Sequence, residues 1–300
     1  MRKGFFVVAV VLGALVLPNS AFGQSRTWVS GTTGDDANPC SITAPCKTFA
    51  GAISKTAAKG EINCLDPGGF GAVTITKAIQ IDCRAVTAGV LTTAGNGINV
   101  SAGVNDRVVL RGLDINGQDT ATDGIKVNSA RTVKVVNTTI RGFARNGIEY
   151  TPSNLFRGVV SNTEIFGNAG NGVLLAPTTA GNASRVTIRR SELDDNGCGA
   201  TASSVGPPTG SASNCGVPSS DLGTGGSAIM VELNSSFTNN AGAGIYANGA
   251  NAAHRIGGNE ILFNGGGLTT ALGGAILSFG DNYVAGNTVD GDPTSTIPRK

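Results

Sequence analysis

The chain has 300 residues, of which 40% are hydrophobic, only 5% are aromatic and 45 are glycine. Its formal net charge is +2, and Arg2 and Lys3 account for that excess, so the remainder of the chain is neutral. A nucleic-acid-binding protein normally carries a basic excess or a basic patch, and neither is visible in this sequence. We therefore expect no nucleic-acid partner, and the regular spacing of the apolar residues argues against a disordered chain.

Residues 1–23 have the pattern of a secretory signal peptide. A basic start, Met1–Lys3, precedes an apolar run over residues 4–17, and Ala21–Gly23 places small residues before a cleavage site. We predict cleavage after Gly23, before Gln24, and hence a secreted or periplasmic protein. The alternative is a membrane anchor, which needs about 20 apolar residues and is therefore longer than this run. No later stretch is apolar enough, so we expect no membrane span in the mature chain.

Residues 24–60 are predicted to form an N-terminal segment that ends in a short capping helix. Within residues 45–59, Phe49, Ile53 and Ala57 recur at every fourth position, which places them on one face of an amphipathic helix. Such a helix would close the end of a repeat structure, where core residues and strand edges are otherwise exposed.

Six cysteines, all beyond the predicted cleavage site, indicate three disulfides. A zinc site is the alternative, but zinc ligands usually come in closer pairs, and the chain has a single histidine. We expect one bond before the helix, one between successive repeats and one around a loop. The predicted pairs are Cys40–Cys46, Cys64–Cys83 and Cys198–Cys215.

Residues 61–292 contain an internal repeat of about 24 residues. Asn146-Gly147-Ile148 returns as Asn171-Gly172-Val173. Within each repeat, apolar residues alternate with polar ones, which is a strand signal, and Asn and Gly mark the corners. The repeat can be aligned on one apolar residue per copy: Ile115, Ile140, Ile165, Leu193, Phe237, Ile261 and Val284.

A unit this short cannot bury its own apolar face, whereas stacked copies bury a continuous core. We therefore predict an all-β fold, a parallel β-helix solenoid of about 8–10 coils behind the N-terminal capping helix. The leucine-rich horseshoe has a similar repeat length but needs more leucine. One inward row should contain Ile98, Ile125, Ile148, Val173 and Ile245, and one corner should contain Asn137, Asn162 and Asn234.

Two polar residues stand where the repeat calls for apolar ones. Glu232 lies five residues before Phe237, and its apolar neighbours Val231 and Leu233 suggest that the strand slips by one residue. His254 falls at an inward position or at a strand start, where a packed histidine is a better interpretation than a general base.

One repeat is interrupted, because the spacing from Leu193 to Phe237 is much longer than the others. The extra residues include the segment 198–215, which is rich in Ser, Gly and Pro and has a cysteine at each end. We interpret it as a surface loop closed by a disulfide. Residues 293–300 are predicted to be a C-terminal tail.

The helix followed by AAKGEINCLDPGGFGAVTITKAIQI, together with the repeated NGI and DGI corners, resembles the right-handed parallel β-helix superfamily of pectate-lyase-like proteins, over roughly residues 45–290. The resemblance implies a right-handed solenoid but not one function. In TATDGIKV, Asp123 resembles the first catalytic aspartate of polygalacturonases. Arg145-Asn146 stand where the aspartate pair is expected, and a Gly-His-Gly motif is absent, so the resemblance does not imply that hydrolytic activity.

The resemblance to pectate lyases implies a cluster of acidic calcium ligands with an arginine base nearby. The catalytic candidates are Arg189, Arg190, Asp194 and Asp195, although strand alternation would divide adjacent residues between two faces. A second acidic group offers calcium candidates at Asp114, Asp119 and Asp123. No other cofactor is expected.

The sequence is compatible with two functions, one without and one with enzymatic activity. We expect an exported β-helix without catalytic activity that binds glycans or cell-surface partners on one face of the solenoid. The alternative is a calcium-dependent polysaccharide lyase or another polysaccharide-active enzyme. A lyase requires Arg189 or Arg190 and two carboxylates to converge on one outer face.

Overall fold

The computed structural model describes residues 23–205, 215 and 225–298, so residues 1–22 of the predicted signal peptide lie outside the described residues. The described residues form one helix and three parallel sheets, called here the long sheet, the nine-stranded sheet and the eight-stranded sheet. The elements in chain order are β1 (Gln24–Val29), α1 (Phe49–Lys55), β2 (Thr56–Cys64), β3 (Gly68–Gly69), β4 (Val73–Ile75), β5 (Ile79–Asp82), β6 (Ala88–Leu91), β7 (Ile98–Ser101), β8 (Arg107–Arg111), β9 (Leu113–Asn116), β10 (Ile125–Ser129), β11 (Thr132–Val136), β12 (Thr139–Arg141), β13 (Ile148–Tyr150), β14 (Phe156–Ser161), β15 (Glu164–Phe166), β16 (Asn171–Leu175), β17 (Ala183–Arg189), β18 (Glu192–Asp194), β19 (Cys198–Ser203), β20 (Ser227–Leu233), β21 (Ser236–Thr238), β22 (Ala243–Asn248), β23 (Ala252–Gly257), β24 (Glu260–Leu262), β25 (Gly266–Ala271), β26 (Ala275–Ser278), β27 (Tyr283–Ala285) and β28 (Ser295–Thr296).

Each turn of the solenoid passes from the long sheet through the nine-stranded sheet to the eight-stranded sheet. The long sheet has the order β1-β2-β5-β8-β11-β14-β17-β20-β23-β26-β28, the nine-stranded sheet β27-β24-β21-β18-β15-β12-β9-β6-β3, and the eight-stranded sheet β25-β22-β19-β16-β13-β10-β7-β4. Each strand pairs in parallel with the strands of the coils before and after it. The predicted all-β parallel β-helix is therefore confirmed, with about eight turns.

The predicted capping helix is present, but it is shorter than the apolar pattern indicates. Thr48 caps its first turn by accepting a hydrogen bond from the Gly51 amide, and Phe49 is buried against Phe70 with ring centres 5.1 Å apart. The helix ends at Lys55, because Thr56 turns into extended backbone and begins β2. Ala57, the last position of the predicted apolar stripe, therefore lies in a strand.

Both ends of the described chain add strands to the long sheet. β1 pairs with β2, and β28, from the segment predicted to be a tail, pairs with β26.

The predicted inward rows are confirmed. Residues 98, 125, 148, 173 and 245 occupy one register position of the eight-stranded sheet, with Ala200 between the last two, and all of them are fully buried. The seven alignment residues of the repeat form the corresponding row of the nine-stranded sheet. Stacking of like side chains from coil to coil thus builds the core.

The predicted one-residue slip at Glu232 is wrong. Glu232 itself takes the inward position, in register with Ile188 on one side and Ile256 on the other. It is tolerated because the buried His254 places Nδ1 2.8 Å from its Oε1. The Nε2 atom of His254 lies 2.9 Å from the Tyr246 carbonyl, so His254 is a packed histidine inside the core.

The corner before the nine-stranded sheet requires a left-handed backbone. Asn137, Asn162 and Asn234 adopt it with φ of 49°, 49° and 50°, and the Nδ2 of Asn162 donates to the Oδ1 of Asn137 at 3.2 Å. Arg190 occupies the same corner with φ of 47° and donates from Nε to the Oδ1 of Asn162 at 2.9 Å. The predicted asparagine row is therefore interrupted by Arg190.

A second asparagine row, at the corner after the nine-stranded sheet, is longer and is buried except at its half-buried last member, Asn287. The Nδ2 of each of the first four members donates to the Oδ1 of the next, at distances of 2.8–3.3 Å, and most members also donate to a backbone carbonyl. We call it the buried asparagine ladder; it contains Asn168, Asn196, Asn240, Asn264 and Asn287. Each member lies three residues after an alignment residue of the repeat, so its position is already visible in the sequence.

All three predicted disulfides are present. Their Cα–Cα distances are 4.6 Å for Cys40–Cys46, 5.0 Å for Cys64–Cys83 and 5.2 Å for Cys198–Cys215. The second bond joins the neighbouring strands β2 and β5 near their ends, as expected for a link between coils.

Candidate functional site

The four catalytic candidates do not converge. Arg189 ends β17 and Arg190 forms the following corner, whereas Asp194 ends β18 and Asp195 forms the next corner. Arg190 and Asp194 are four residues apart along extended chain, which separates their Cα atoms by about 13 Å. Arg190 and Asp195 border different grooves, the first together with Glu192.

Asp194 already has partners, which further separates it from the arginines. Its Oδ1 accepts hydrogen bonds from the Thr238 hydroxyl at 2.7 Å and from the Asn239 amide at 2.8 Å. Asp195 is exposed and has φ of 50°, so it provides the left-handed backbone conformation of the corner. The shared outer face that a lyase would require is thus absent at these four residues.

The three calcium candidates also lie apart. Asp114 forms an ion pair with Arg141, Asp119 is exposed at a corner, and Asp123 is buried at the edge of the eight-stranded sheet. Within residues 23–205, 215 and 225–298, no three His, Cys, Asp or Glu side chains are grouped so that they could hold a metal ion.

Asp123 instead belongs to a charged group on the outer side of the eight-stranded sheet, called here the carboxyl cluster. Lys126 on β10 and Glu149 on β13 occupy paired register positions and form an ion pair. The Nδ2 of Asn146 donates to both Asp123 and Glu149 at 3.1 Å, and Arg145 contacts Glu149 at 3.1 Å. These five side chains, from two successive coils, are the members of the cluster.

Burial sets the ionisation of the cluster. Asp123 and Glu149 are 2% and 1% exposed. Burial, and secondarily the charge of Glu149, raise the pKa of Asp123 to about 6. Burial also disfavours the charged form of Glu149, but Lys126 and Arg145 outweigh it and hold the pKa of Glu149 below its usual value. Near pH 6 the cluster thus pairs one ionised carboxylate with one carboxyl that is partly protonated.

A row of amides leads into the cluster from later coils. The hydroxyl of Thr201 donates to Asn171, Asn171 donates to Asn146 at 2.9 Å, and Asn146 donates to Asp123. All these donors point toward Asp123, so the row favours negative charge there and fixes the orientation of Asn146.

A polar groove of about 480 Å³ lies on the same sheet, between the cap helix and the carboxyl cluster. Thr74, Asn96 and Asn99 form its polar lining, and the rest of the lining is apolar: Ala50, Ile53, Ala72 and Val73. Asn99 stands beside Lys126 in the register of the sheet, so the groove lies next to the cluster. Lys126 and Arg145 have side chains that are 20% and 39% exposed, so both are accessible on this side of the sheet.

Lys126 and Glu149 were missed by the sequence predictions, although a signal was present. Both directly follow the inward isoleucine of their repeat, in DGIK and NGIE, so the alignment already placed opposite charges at adjacent outward positions. The sequence predicted a role for Asp123, but as a calcium ligand rather than as a member of the carboxyl cluster.

No family model and no curated protein sequence matches the chain. Among solved structures, the chain is similar to the crystal structure of pectate lyase Pel9A, with a TM-score of 0.57 and 15% identity over 89% of this chain and 74% of that one. It is also similar to the GH136 lacto-N-biosidase from Eubacterium ramulus, with a TM-score of 0.53 and 10% identity over 92% of this chain and 67% of that one.

The chain has the parallel β-helix fold of these two structures. At these identities the similarity establishes the architecture alone. Three disulfides fit an extracellular or periplasmic location. Among the described residues, the β-helix and its cap contain no helix with the length and apolarity needed to cross a membrane.

Proposed function

We propose that this protein is an exported β-helix that binds carbohydrate on the outer side of the eight-stranded sheet. The observation that carries the proposal is the position of the polar groove next to the carboxyl cluster, where Asn99 of the groove pairs with Lys126 of the cluster. Sugar hydroxyls both donate and accept hydrogen bonds, and this surface offers amides at Asn96 and Asn99, cations at Lys126 and Arg145, and carboxyls behind them. The pectate lyase and the lacto-N-biosidase with the same fold are named for carbohydrate substrates, which supports this class of ligand.

The close contact of the two carboxyls favours binding over hydrolysis. Carboxyl groups that cleave a glycosidic bond stand about 5 Å or more apart, so that the bond fits between them. Asp123 and Glu149 both accept from the one side-chain amide of Asn146, each at 3.1 Å, so that amide rather than a glycosidic bond lies between them. They act as one unit that orients Asn146 and Arg145 rather than as two groups that flank a substrate.

A polysaccharide-active enzyme is the second candidate, and the raised pKa of Asp123 is what favours it. A carboxyl that is partly protonated near pH 6 can donate a proton to a leaving group. A lyase that uses the segment Arg189–Asp195 lacks the convergence described above, and a calcium requirement rests on the resemblance alone.

The test combines binding and product sizing. The chain from Gln24 to Lys300 is incubated with uronic-acid and neutral polysaccharides, with calcium and with chelator, and polymer length and affinity are measured. We expect intact polymers and retention of the protein by at least one of them. Shortened products would show an enzyme, and products that disappear with chelator would show a calcium-dependent one. Absence of both binding and products would refute carbohydrate recognition.

A matched pair of variants locates the site. Arg145→Ala and Arg141→Ala each remove a partly exposed arginine that is paired with an acid, but only Arg145 belongs to the carboxyl cluster. We expect Arg145→Ala to weaken binding about tenfold, the effect of losing one charge-assisted hydrogen bond. Arg141→Ala should bind like the parent chain. Equal effects of the two substitutions would contradict the assignment of the site.

A further inference from the structure

The outer side of the long sheet carries a dense group of positive charges. Four successive strands of that sheet, β8, β11, β14 and β17, contribute them, and all of these side chains point away from the core because they alternate with buried residues. We call this surface the basic face; it contains Arg107, Lys134, Arg157, Arg185 and Arg189.

The charges are aligned along the axis of the solenoid. Arg107, Thr132, Arg157 and Arg185 occupy one register row, so Arg157 and Arg185 are direct neighbours. Lys134 lies in the adjacent row. Strands of neighbouring coils are about 4.8 Å apart, so the basic face extends over about 14 Å of the axis.

No acid neutralises these side chains among the described residues, since every ion pair there involves other groups. The acid nearest in the sheet register, Asp82, is held by Arg84 and Arg111. Asp106, next to Arg107 in the chain, accepts a hydrogen bond from the Gly103 amide instead.

The ionisation of Lys134 reflects the surrounding charge. Burial lowers its pKa first, and the positive charges of Arg107, Arg189 and Arg111 lower it further. The four arginines of the basic face are themselves exposed, so they are available to a ligand.

The basic face is not visible in the sequence, because acidic and basic residues balance over the chain as a whole. The matching acids lie on the outer side of the nine-stranded sheet, where the coil geometry brings them together. They are Asp114, Glu164, Glu192 and Glu260. The expectation that the chain has no basic patch is therefore wrong: the fold segregates charges that are mixed along the sequence.

Like charges placed directly opposite each other in a sheet destabilise it, so the basic face has a cost in stability. We propose that the basic face binds a linear acidic polysaccharide, whose chain lies along the solenoid axis and whose carboxylate or sulfate groups meet the arginines of successive coils. A pyranose unit advances by a length comparable to the spacing of the strands, so one anionic group per sugar matches one coil.

The surface fits a glycan better than a nucleic acid. Single-stranded nucleic acids are usually held by aromatic side chains on which the bases stack, and the outward positions of β8, β11, β14 and β17 contain none. The basic face lies on a different sheet from the polar groove, so this inference stands independently of the proposed carbohydrate site.

The experiment measures affinity for alginate, a polyuronate, for a sulfated glycan and for neutral pullulan, at low and at high salt. We expect salt-sensitive binding to at least one of the two acidic polymers and none to pullulan at this face. The comparison of alginate with the sulfated glycan identifies the anionic group. The double variant Arg157→Gln/Arg185→Gln should weaken binding about tenfold, the sum expected for two exposed charge contacts.

The matched control is Arg141→Gln/Arg255→Gln, which removes the same amount of positive charge from two arginines outside the basic face. Arg255 lies on β23 of the long sheet and is separated from the basic face by β20, whose outward side chains are uncharged. An equal loss of affinity in both double variants would overturn the proposal, because only net charge would then matter. Equal affinity for duplex DNA, or salt-sensitive self-association detected by sedimentation, would also overturn it in favour of those partners. Binding of neutral polysaccharides should be unchanged in Arg157→Gln/Arg185→Gln, which separates failure of this proposal from failure of the polar groove.

Discussion

The buried asparagine ladder should contribute strongly to stability, and Asn240→Ala tests this. Asn240 is 1% exposed. Its side chain donates to the Leu193 carbonyl at 3.1 Å and to Asn264 at 2.8 Å, and it accepts from the amide and the side chain of Asn196 at 3.1 and 3.3 Å. Alanine removes all four hydrogen bonds and leaves their partners buried.

The expected loss follows from the number of bonds. A typical hydrogen bond contributes about 1 kcal/mol net, so four of them give a loss of about 4 kcal/mol in the free energy of unfolding. Urea unfolding followed by circular dichroism measures it, with the disulfides intact. The loss should appear as a lower midpoint at an unchanged slope.

The control is Asn162→Gly, in the exposed asparagine row. Asn162 has φ of 49°, which glycine adopts without strain, and its side-chain bonds to Asn137 and Arg190 are exposed to water. We expect a change of no more than about 0.5 kcal/mol. If Asn240→Ala costs no more than this control, water replaces the ladder and the argument from burial is refuted.

Three further predictions concern other parts of the core and the cluster. His254→Leu should cost about 3–5 kcal/mol by leaving Glu232 buried without its partner, whereas Glu232→Leu/His254→Leu should recover most of that loss in urea unfolding; equal stability of the two would contradict a paired role. Folding raises the pKa of Asp123 from 3.8 to about 6, so the stability that its protonation contributes is present below pH 3.8 and is lost as pH rises through about 6. Relative to Asp123→Asn, the parent chain should lose up to about 3 kcal/mol over that range, and parallel pH profiles of the two would refute the shift. Cys64→Ser/Cys83→Ser opens a bond between residues 19 apart and should cost about 3 kcal/mol, measured as a lower unfolding temperature; an unchanged temperature would show that the coil pairing alone holds these strands.

The repeat made much of the fold predictable. Inward residues such as Ile125, Ile148 and Val173 alternate with outward ones and recur once per coil, and side-chain alternation in a strand is a local property. The disulfide pairs followed from the same register, since Cys64 and Cys83 are separated by about one coil. The cap helix was predictable from Phe49 and Ile53, but its end was not, because Thr56 is recruited into a strand by pairing with a distant segment.

The periodic part of this protein, namely which residues face the core and which turn the corners, can therefore be read from the amino-acid sequence. The interactions among the outward residues follow from the stacking of the coils. Stacking brings Lys126 beside Glu149 and Arg157 beside Arg185, although 23 and 28 residues separate them in the chain. It also supplies Glu232 with His254 from the next coil. The physical reason is that core placement depends on local alternation, whereas charge interactions depend on distances across coils, which only the register of the folded solenoid sets.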